Sequence, residues 1–139
     1  MITIRAATQE DSESIAAIYN AATKHTSNNQ SWNVTIATAN LVVAEIDDRL
    51  VGFGGLDFES VTPLKWLYVT PGSQRTGIGS MLLEKLETVA RSAGLRSLRL
   101  HAAPDALSFY LQHGYGEVPV DEKHSHDHEG VEMTKDLDK

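Results

Sequence analysis

A chain of 139 residues is long enough for one hydrophobic core, and we expect residues 1–139 to form a single domain. The formal net charge of −7 argues against a nucleic-acid partner, because proteins that bind phosphate backbones usually carry a positive field. The absence of cysteine excludes disulfides, a thiol nucleophile and a thiolate zinc site, and it fits a reducing compartment.

The N-terminus gives no sign of a targeting or membrane segment. Ile2, Ile4 and Ala6 alternate with polar residues as in a strand, and no apolar signal-peptide core follows them. No segment approaches the roughly 18 consecutive apolar residues that a membrane helix needs. We therefore expect a cytoplasmic protein with neither a membrane nor a nucleic acid as partner, and the sequence leaves a homodimer open.

The first half of the chain predicts strands around one helix. Thr8 and Asp11 have the spacing of a capping box, and the residues that follow them place apolar side chains at helical intervals. The polar stretch 24–40 has no clear period and is hard to assign. The strands predicted in this half cover residues 2–6, 41–46, 50–58 and 64–69.

The second half predicts two helices between strands. Gly94 stops the first of these helices, which carries one buried apolar stripe, and Gly114 stops the second. The strand between the helices should run parallel to the strand at 64–69, because a helical crossover joins them. The predicted helices cover 80–93 and 104–114, and the predicted strands cover 96–101, 118–123 and 131–137, the last two as a closing hairpin.

Residues 68–83 connect a strand to a helix through a glycine-bearing loop and are the most informative segment. The first four N–H groups of a helix lack intrahelical partners, and the helix dipole adds partial positive charge, so such a helix start binds anions, phosphate above all. Gly77 and Gly79 let the backbone approach a ligand with no Cβ in the way. The loop therefore predicts a phosphorylated cofactor held by backbone donors. The alternative is an ordinary connection whose glycines only make the turn.

The spacing excludes two well-known phosphate loops. No lysine follows Gly79 as a P-loop requires, and Leu82 stands where the dinucleotide fingerprint has its third glycine. The pattern that fits is Gln/Arg-x-x-Gly-x-Gly/Ala, at Gln74, Gly77 and Gly79, after a strand that ends before Pro71.

This pattern resembles the acetyl-CoA-binding motif of the GNAT N-acetyltransferases. The segment from Ala106 to Tyr115, which contains Phe109-Tyr110 and Gly114, is similar to the family's Ala-x-x-Phe-Tyr-x-x-x-Gly-Phe segment. The resemblance spans nearly the whole chain. It implies an α/β (α+β) fold with a single mixed, centrally splayed β-sheet of about six to seven strands, flanked by three to four helices.

The resemblance also implies how acetyl-CoA, the acetyl donor, is held. The strand backbone pairs with the pantetheine amides, and a backbone N–H there polarises the thioester oxygen. One departure is Ala103, where the family often carries an asparagine, so a side-chain hydrogen bond to the cofactor is missing or supplied elsewhere. The expected cofactor-binding residues are Leu67, Tyr68, Val69, Gln74, Arg75, Thr76, Gly77, Ile78, Gly79 and Ser80.

Acetyl transfer from a thioester to an amine needs an acid for the departing thiolate and a base for the amine. The resemblance assigns the acid to Tyr110, and the alternative is a core aromatic residue whose hydroxyl has a structural partner. Glu59 is the first candidate for the base. Asp57 and His101 are further candidates, and each of the three is open to a purely structural role.

His124, His126 and His128 alternate along the chain and would share one face of a strand. Imidazoles beside carboxylates can bind zinc or nickel. An exposed loop and a contribution to the acceptor pocket are the alternatives, and we assign no metal to the chain.

The sequence thus predicts an N-acetyltransferase that moves an acetyl group from acetyl-CoA directly to the primary amine of a small molecule, without a covalent enzyme intermediate. Two alternatives stay open. One is a non-catalytic acyl-CoA-binding or interaction module on the same fold, and the other is a protein-directed N-acetyltransferase. The acidic charge mildly favours a cationic or neutral acceptor, although it also serves solubility alone.

Overall fold

The computed structural model describes residues 2–23, 26–73, 77–119 and 131–137. Within these residues the chain forms seven strands and four α-helices. The strands are β1 (Ile2–Ala6), β2 (Asn40–Ile46), β3 (Arg49–Leu56), β4 (Leu64–Val69), β5 (Ser97–Ala102), β6 (Gly116–Glu117) and β7 (Val131–Asp136). The helices are α1 (Ser12–Thr23), α2 (Asn29–Thr38), α3 (Ile78–Ser92) and α4 (Leu107–Gln112). None of these helices has the length and apolar character needed to cross a membrane.

All seven strands belong to one mixed sheet in the order β1-β2-β3-β4-β5-β7-β6. Neighbouring strands pair antiparallel except β4 and β5, which run parallel as the sequence predicts. The parallel pair meets at one register position, Leu64 with Leu100, whereas β5 and β7 pair along the whole of β5. The sheet therefore opens between β4 and β5 toward their carboxyl ends, and the predicted mixed, splayed architecture is confirmed.

Helices cover both faces of the sheet. On one face, α3 buries an apolar stripe against the larger core cluster, and on the other face α1 and α2 enclose a second cluster around Trp32 and Phe53. Val42 and Val43 of β2 belong to different clusters, because successive side chains of a strand point to opposite faces. The α3 stripe consists of Ile78, Leu82, Leu83, Leu86 and Ala90.

The stretch that was hard to assign from sequence contains α2. The side chain of Asn28 caps this helix by accepting a hydrogen bond from the Ser31 N–H at 2.9 Å. Trp32 is its one buried apolar residue, so the helix has almost no periodic stripe to detect. Tertiary contacts hold the helix in place instead, because Trp32 packs edge-on against Phe53 with ring centroids 5.4 Å apart.

The predicted strand at 118–123 can be compared with the structure only at residues 118 and 119, which belong to no strand, since residues 120–123 lie outside the described part of the chain. The structure places β6 earlier, at Gly116–Glu117, where it pairs with Thr134 and Met133 of β7. After β6 the Val118 N–H still donates to the Glu132 carbonyl at 2.9 Å, and Pro119, the next residue, has no N–H to continue the ladder. Residues 120–130 lie outside the described part of the chain.

Candidate active site

A cleft with a volume of about 1250 Å³ opens where β4 and β5 separate. Every residue of β4 lines it, together with the first residues of α3 and most of α4. In open α/β sheets, ligands bind outside the carboxyl ends of strands at such a point of divergence. The cleft is therefore the natural candidate for the active site.

Most of the described residues that the sequence singled out for the cofactor line this cleft. Ile78 does not line it, because its side chain is 1% exposed and packs into the core beneath α3. Ala103, where the resemblance leads us to expect an asparagine, lines the cleft without a polar side-chain atom. The predicted residues on the cleft wall are Leu67, Tyr68, Val69, Gly77, Gly79, Ser80 and Tyr110.

Some predicted residues lie outside the described part of the chain. These are Gln74, Arg75 and Thr76 of the loop and the histidines His124, His126 and His128. The expectations attached to them stay predictions. Within residues 2–23, 26–73, 77–119 and 131–137, no group of three or more His, Cys, Asp or Glu side chains is placed to hold a metal ion.

The start of α3 presents backbone donors to the cleft. The Met81 N–H donates to the Gly77 carbonyl at 3.1 Å, and the N–H groups of residues 77–80 precede that first helical bond. The helix is 15 residues long, and its first turn contains no acidic side chain that would offset the positive end of its dipole. This helix start is therefore suited to an anionic group.

The two glycines of the loop have different structural roles. Gly77 has a left-handed φ of +86°, and a Cβ there would meet no atom within 4 Å, so a side chain would enter open space. A Cβ at Gly79 would lie 3.4 Å from Cζ of Phe109. Gly77 thus leaves open space at the start of α3, whereas a Cβ at Gly79 would make an ordinary van der Waals contact with α4.

Tyr110 lies on the cleft wall and is 8% exposed. Its ring packs edge-on against Phe109 and Tyr115, with centroid separations of 5.2 and 5.6 Å. Burial raises the pKa of Tyr110 well above its usual value, and the nearby phenol of Tyr68 adds to the rise. The hydroxyl therefore keeps its proton at neutral pH.

Neither carboxylate that the sequence offers as a base lines the cleft. Glu59 is exposed in the turn after β3, and its backbone N–H donates to Oδ1 of Asp57 at 3.0 Å. Asp57 forms an ion pair with Lys65, whose Nζ lies 3.3 Å from Oδ2. Asp57 thus stabilises the turn, and a catalytic role for Glu59 stays a prediction.

His101 is the candidate base that the structure places at the cleft. It also lines an adjoining cavity of about 190 Å³, which shares Leu64 and Lys65 with the larger cleft. Its Nε2 lies 3.7 Å from Oε1 of Glu132, a carboxylate whose side chain is 1% exposed. Arg99 donates from Nη1 to Oε2 of the same carboxylate at 3.0 Å. A buried, anchored negative charge therefore faces the imidazole.

The structure also brings together a polar pair that the sequence did not predict. Oγ of Ser80 lies 2.8 Å from Nε2 of His113, and Nδ1 of His113 lies 2.7 Å from the Phe109 carbonyl oxygen. The available sequence signal was the position of His113 at the end of α4, where a histidine can bind a free terminal carbonyl. Nothing in the sequence predicts that Ser80 would meet it.

Comparison with known proteins identifies one family. The model of the acetyltransferase (GNAT) domain matches residues 6–137 of the chain. A search by sequence among curated proteins finds no match.

Solved structures with the same fold are numerous, and three illustrate the likeness. The PaiA N-acetyltransferase of Thermoplasma acidophilum, solved with coenzyme A, has a TM-score of 0.79 and 21% identity over 98% of this chain and 99% of its own. YncA of Salmonella typhimurium, solved with its cofactor acetyl-CoA, has a TM-score of 0.79 and 22% identity over 100% of this chain and 95% of its own. N-acetylglutamate synthase of Neisseria gonorrhoeae, complexed with coenzyme A and N-acetyl-glutamate, has a TM-score of 0.81 and 22% identity over 99% of this chain and 35% of its own.

Proposed function

The chain belongs to the GNAT acetyltransferase family, and we propose that it transfers an acetyl group from acetyl-CoA to the primary amine of a small molecule. The observation that carries the proposal is the cleft between β4 and β5, on whose wall the donor-rich start of α3 and the phenol of Tyr110 both lie. The three relatives described above were solved with coenzyme A or acetyl-CoA, which supports the same donor here.

The cleft fits this donor in shape and in polarity. The N–H groups of residues 77–80 and the open space at Gly77 suit the pyrophosphate. Arg75 lies outside the described residues, and its part in binding stays a prediction from the sequence. The strand backbone at 67–69 pairs with β3 on one side, and its other side faces the opening of the sheet. That free side suits the pantetheine amides, which bind as an added strand would.

Tyr110 is the proposed hydrogen-bond donor to the departing sulfur. When the amine nitrogen bonds to the acetyl carbon and the carbon–sulfur bond breaks, negative charge develops on the thiolate. The proton that the nitrogen loses as it becomes an amide balances the proton that the thiolate gains as it becomes the free thiol. Because burial keeps the phenol protonated, Tyr110 can offer a hydrogen bond to that charge throughout the neutral range. The thioester supplied by the cofactor provides the acyl group and the leaving group.

We place the base at His101 rather than at Glu59. An alkylamine is mostly protonated at neutral pH and must lose a proton before it attacks. His101 lines both cavities, and the buried Glu132 carboxylate 3.7 Å from its Nε2 would stabilise the imidazolium that forms. Glu59 faces solvent instead.

The cavity beside His101 favours a small acceptor. Its volume of about 190 Å³ is below the usual 300–1,000 Å³ of drug-sized pockets, so it suits an amine of few heavy atoms. A protein-directed transferase and a non-catalytic acyl-CoA-binding module stay as alternatives. The cytoplasmic location, the single domain and the homodimer considered from sequence also stay predictions.

Thiol release from acetyl-CoA, measured over a panel of small primary amines and a lysine-containing peptide, tests the proposal. We expect turnover with at least one small amine and none with the peptide. His101→Gln and Glu59→Gln compare the two bases directly, and the loss of about 10²–10⁴-fold in kcat/KM typical of a general base is expected at His101. If the protein binds acetyl-CoA but releases no thiol in the presence of any amine tested, the non-catalytic module is favoured.

A further inference from the structure

The Ser80–His113 pair lies at the proposed cofactor site. The acetyl transfer proposed above does not use either side chain. Ser80 is the third residue of α3, among the backbone donors at the helix start, and both side chains line the cleft. His113 ends α4 and stacks on the Phe109 ring with centroids 4.4 Å apart. The imidazole is thus held in place from two sides, by this ring and by the carbonyl that Nδ1 contacts.

The hydrogen bonds of His113 fix which atom carries the proton. The Phe109 carbonyl only accepts, so Nδ1 at 2.7 Å must be the N–H of the ring. In the neutral imidazole Nε2 then has a lone pair, and the Ser80 hydroxyl donates its proton to it across 2.8 Å. The oxygen of Ser80 consequently offers lone pairs to the cleft.

Protonation of His113 reverses this arrangement. Nε2 then carries a proton and donates it to Oγ of Ser80, so the hydroxyl proton is released and can point to another acceptor. A phosphate oxygen at the helix start is such an acceptor. The neutral pair would oppose that oxygen with lone pairs, and the protonated pair would meet it with an O–H donor and a nearby positive charge.

We propose that His113 is a positioning residue that acts through Ser80 and makes the binding of the acetyl-CoA pyrophosphate tighter when its imidazole is protonated. The inference rests on the proposed function, since it concerns the same cofactor site. It predicts that cofactor binding takes up a proton, so that affinity falls as the pH rises.

Other groups near His113 do not produce the same dependence. Lys135 Nζ and Glu87 Oε1 pair with each other at 3.0 Å, and burial raises the pKa of Tyr110 and Tyr115 above the neutral range. His101 is a second imidazole on the cleft wall and therefore needs a control. The charged or titratable side chains on the surrounding elements are Asp105 before α4, Tyr110 on α4, Glu84 and Glu87 on α3, Tyr115 after α4, and Lys135 on β7.

The test is titration calorimetry with acetyl-dephospho-coenzyme A at about pH 6 and pH 8. This probe keeps the pyrophosphate but lacks the 3′-phosphate, a monoester whose own second ionisation lies near pKa 6. For the wild type we expect about tenfold tighter binding at the lower pH, the size of one charge-assisted hydrogen bond. Around pH 7, an apparent enthalpy that varies with the ionisation heat of the buffer should show the proton uptake.

Three variants separate the proposed action of His113 through Ser80 from other sources of pH dependence. Ser80→Ala and His113→Gln should each bind with equal affinity at the two pH values, whereas His101→Gln should keep the tenfold difference. If His113→Gln fails to fold, Ser80→Ala decides alone, since alanine suits a helix interior. If Ser80→Ala still binds the probe more tightly at the lower pH, the proposed action of His113 through Ser80 is overturned. Equal wild-type affinities at the two pH values overturn it as well. Absence of binding at both pH values would instead overturn the proposed function itself.

Discussion

Burial determines what the hydroxyl of Tyr110 can do in catalysis. A thiol has a pKa of about 8.5, whereas burial raises the pKa of Tyr110 above its usual value of about 10, so complete proton transfer to the thiolate is uphill. A hydrogen bond that strengthens as the charge develops needs no complete transfer. The residue is thus better suited to stabilise the leaving thiolate than to exchange protons with solvent.

Replacement of Tyr110 by phenylalanine tests this role. Phenylalanine keeps the ring contacts with Phe109 and Tyr115 but removes the donor, so we expect kcat to fall on the order of 10²–10³-fold while acetyl-CoA affinity changes little. Single-turnover kinetics with a saturating acceptor measure the chemical step. An unchanged single-turnover rate in Tyr110→Phe would show that the phenol is only a packing residue.

Tyr115 predicts how stability responds to alkaline pH. Its hydroxyl donates to Oε2 of Glu87 at 2.9 Å, and Lys135 Nζ binds the same carboxylate. Burial raises the pKa of Tyr115 far above its usual value, and the negative Glu87 adds to the rise. Because the folded-state pKa exceeds the unfolded one, the stabilisation is complete below about pH 10 and is lost as the pH rises beyond it.

Thermal unfolding between about pH 9 and 11 measures this contribution. We expect the melting temperature of the wild type to fall over that range and the fall to be smaller in Tyr115→Phe. At neutral pH the same variant should lose about 1–3 kcal/mol, because a buried carboxylate loses one of its donors. Equal alkaline slopes in the two proteins would contradict the assignment to Tyr115.

At the scale of elements, the sequence predicts those helices and strands whose residues carry a local pattern, such as alternating apolar residues or a terminal glycine. The strands at 2–6 and 64–69 have the observed bounds, and Gly94 and Gly114 end their helices in left-handed conformations, with φ of +93° and +92°. Helix α2 escapes prediction because its stability depends on Trp32 inserting among distant aromatic side chains rather than on a periodic stripe.

The same distinction holds for the candidate site. The pattern around Gly77 and Gly79 is local, so the sequence predicts the loop without knowledge of the fold. The Ser80–His113 and His101–Glu132 pairs join residues that are 33 and 31 positions apart, and they arise only because the sheet brings distant segments together. The proximity of Gly79 to Phe109 is hidden from sequence for the same reason.

We propose that cofactor binding depends on the start of α3, and the chain offers a matched control for this proposal. Gly77 and Gly94 flank the same helix, both have left-handed φ values, and a Cβ at either would meet no atom within 4 Å. Aspartate tolerates this conformation better than most residues. Gly77→Asp and Gly94→Asp therefore add the same charge and similar backbone strain, but only the first stands at the cleft.

Calorimetric titration with acetyl-CoA compares the two variants. We expect Gly77→Asp to weaken binding at least a hundredfold, because a carboxylate would both occupy the free N–H groups and repel the pyrophosphate. Gly94→Asp should bind as the wild type does. Similar affinities for the two variants would remove the helix start from the cofactor site.

At the scale of the whole molecule, the sheet consists of two parts that are weakly joined. Strands β1 to β4 form one antiparallel ladder and β5, β7 and β6 form another, while β4 and β5 meet at the single register position of Leu64 and Leu100. Packing of α3 across the core also connects the two parts. A ligand that enters the opening would bridge them and supply hydrogen-bond partners to the open side of β4, which pairs with β5 only at Leu64 within the described residues.

Hydrogen exchange followed by mass spectrometry tests whether acetyl-CoA completes the sheet in this way. Backbone amides without a strand partner exchange fast, and binding restricted to the folded state slows local opening. We expect saturating acetyl-CoA to protect peptides that cover 65–69 and the helix start at 77–81, because both line the cleft. Peptides from β1 and β2, at the far edge of the sheet, serve as the internal control and should change little. Protection spread evenly over all strands would mean that the cofactor stabilises the fold globally without bridging the opening between β4 and β5.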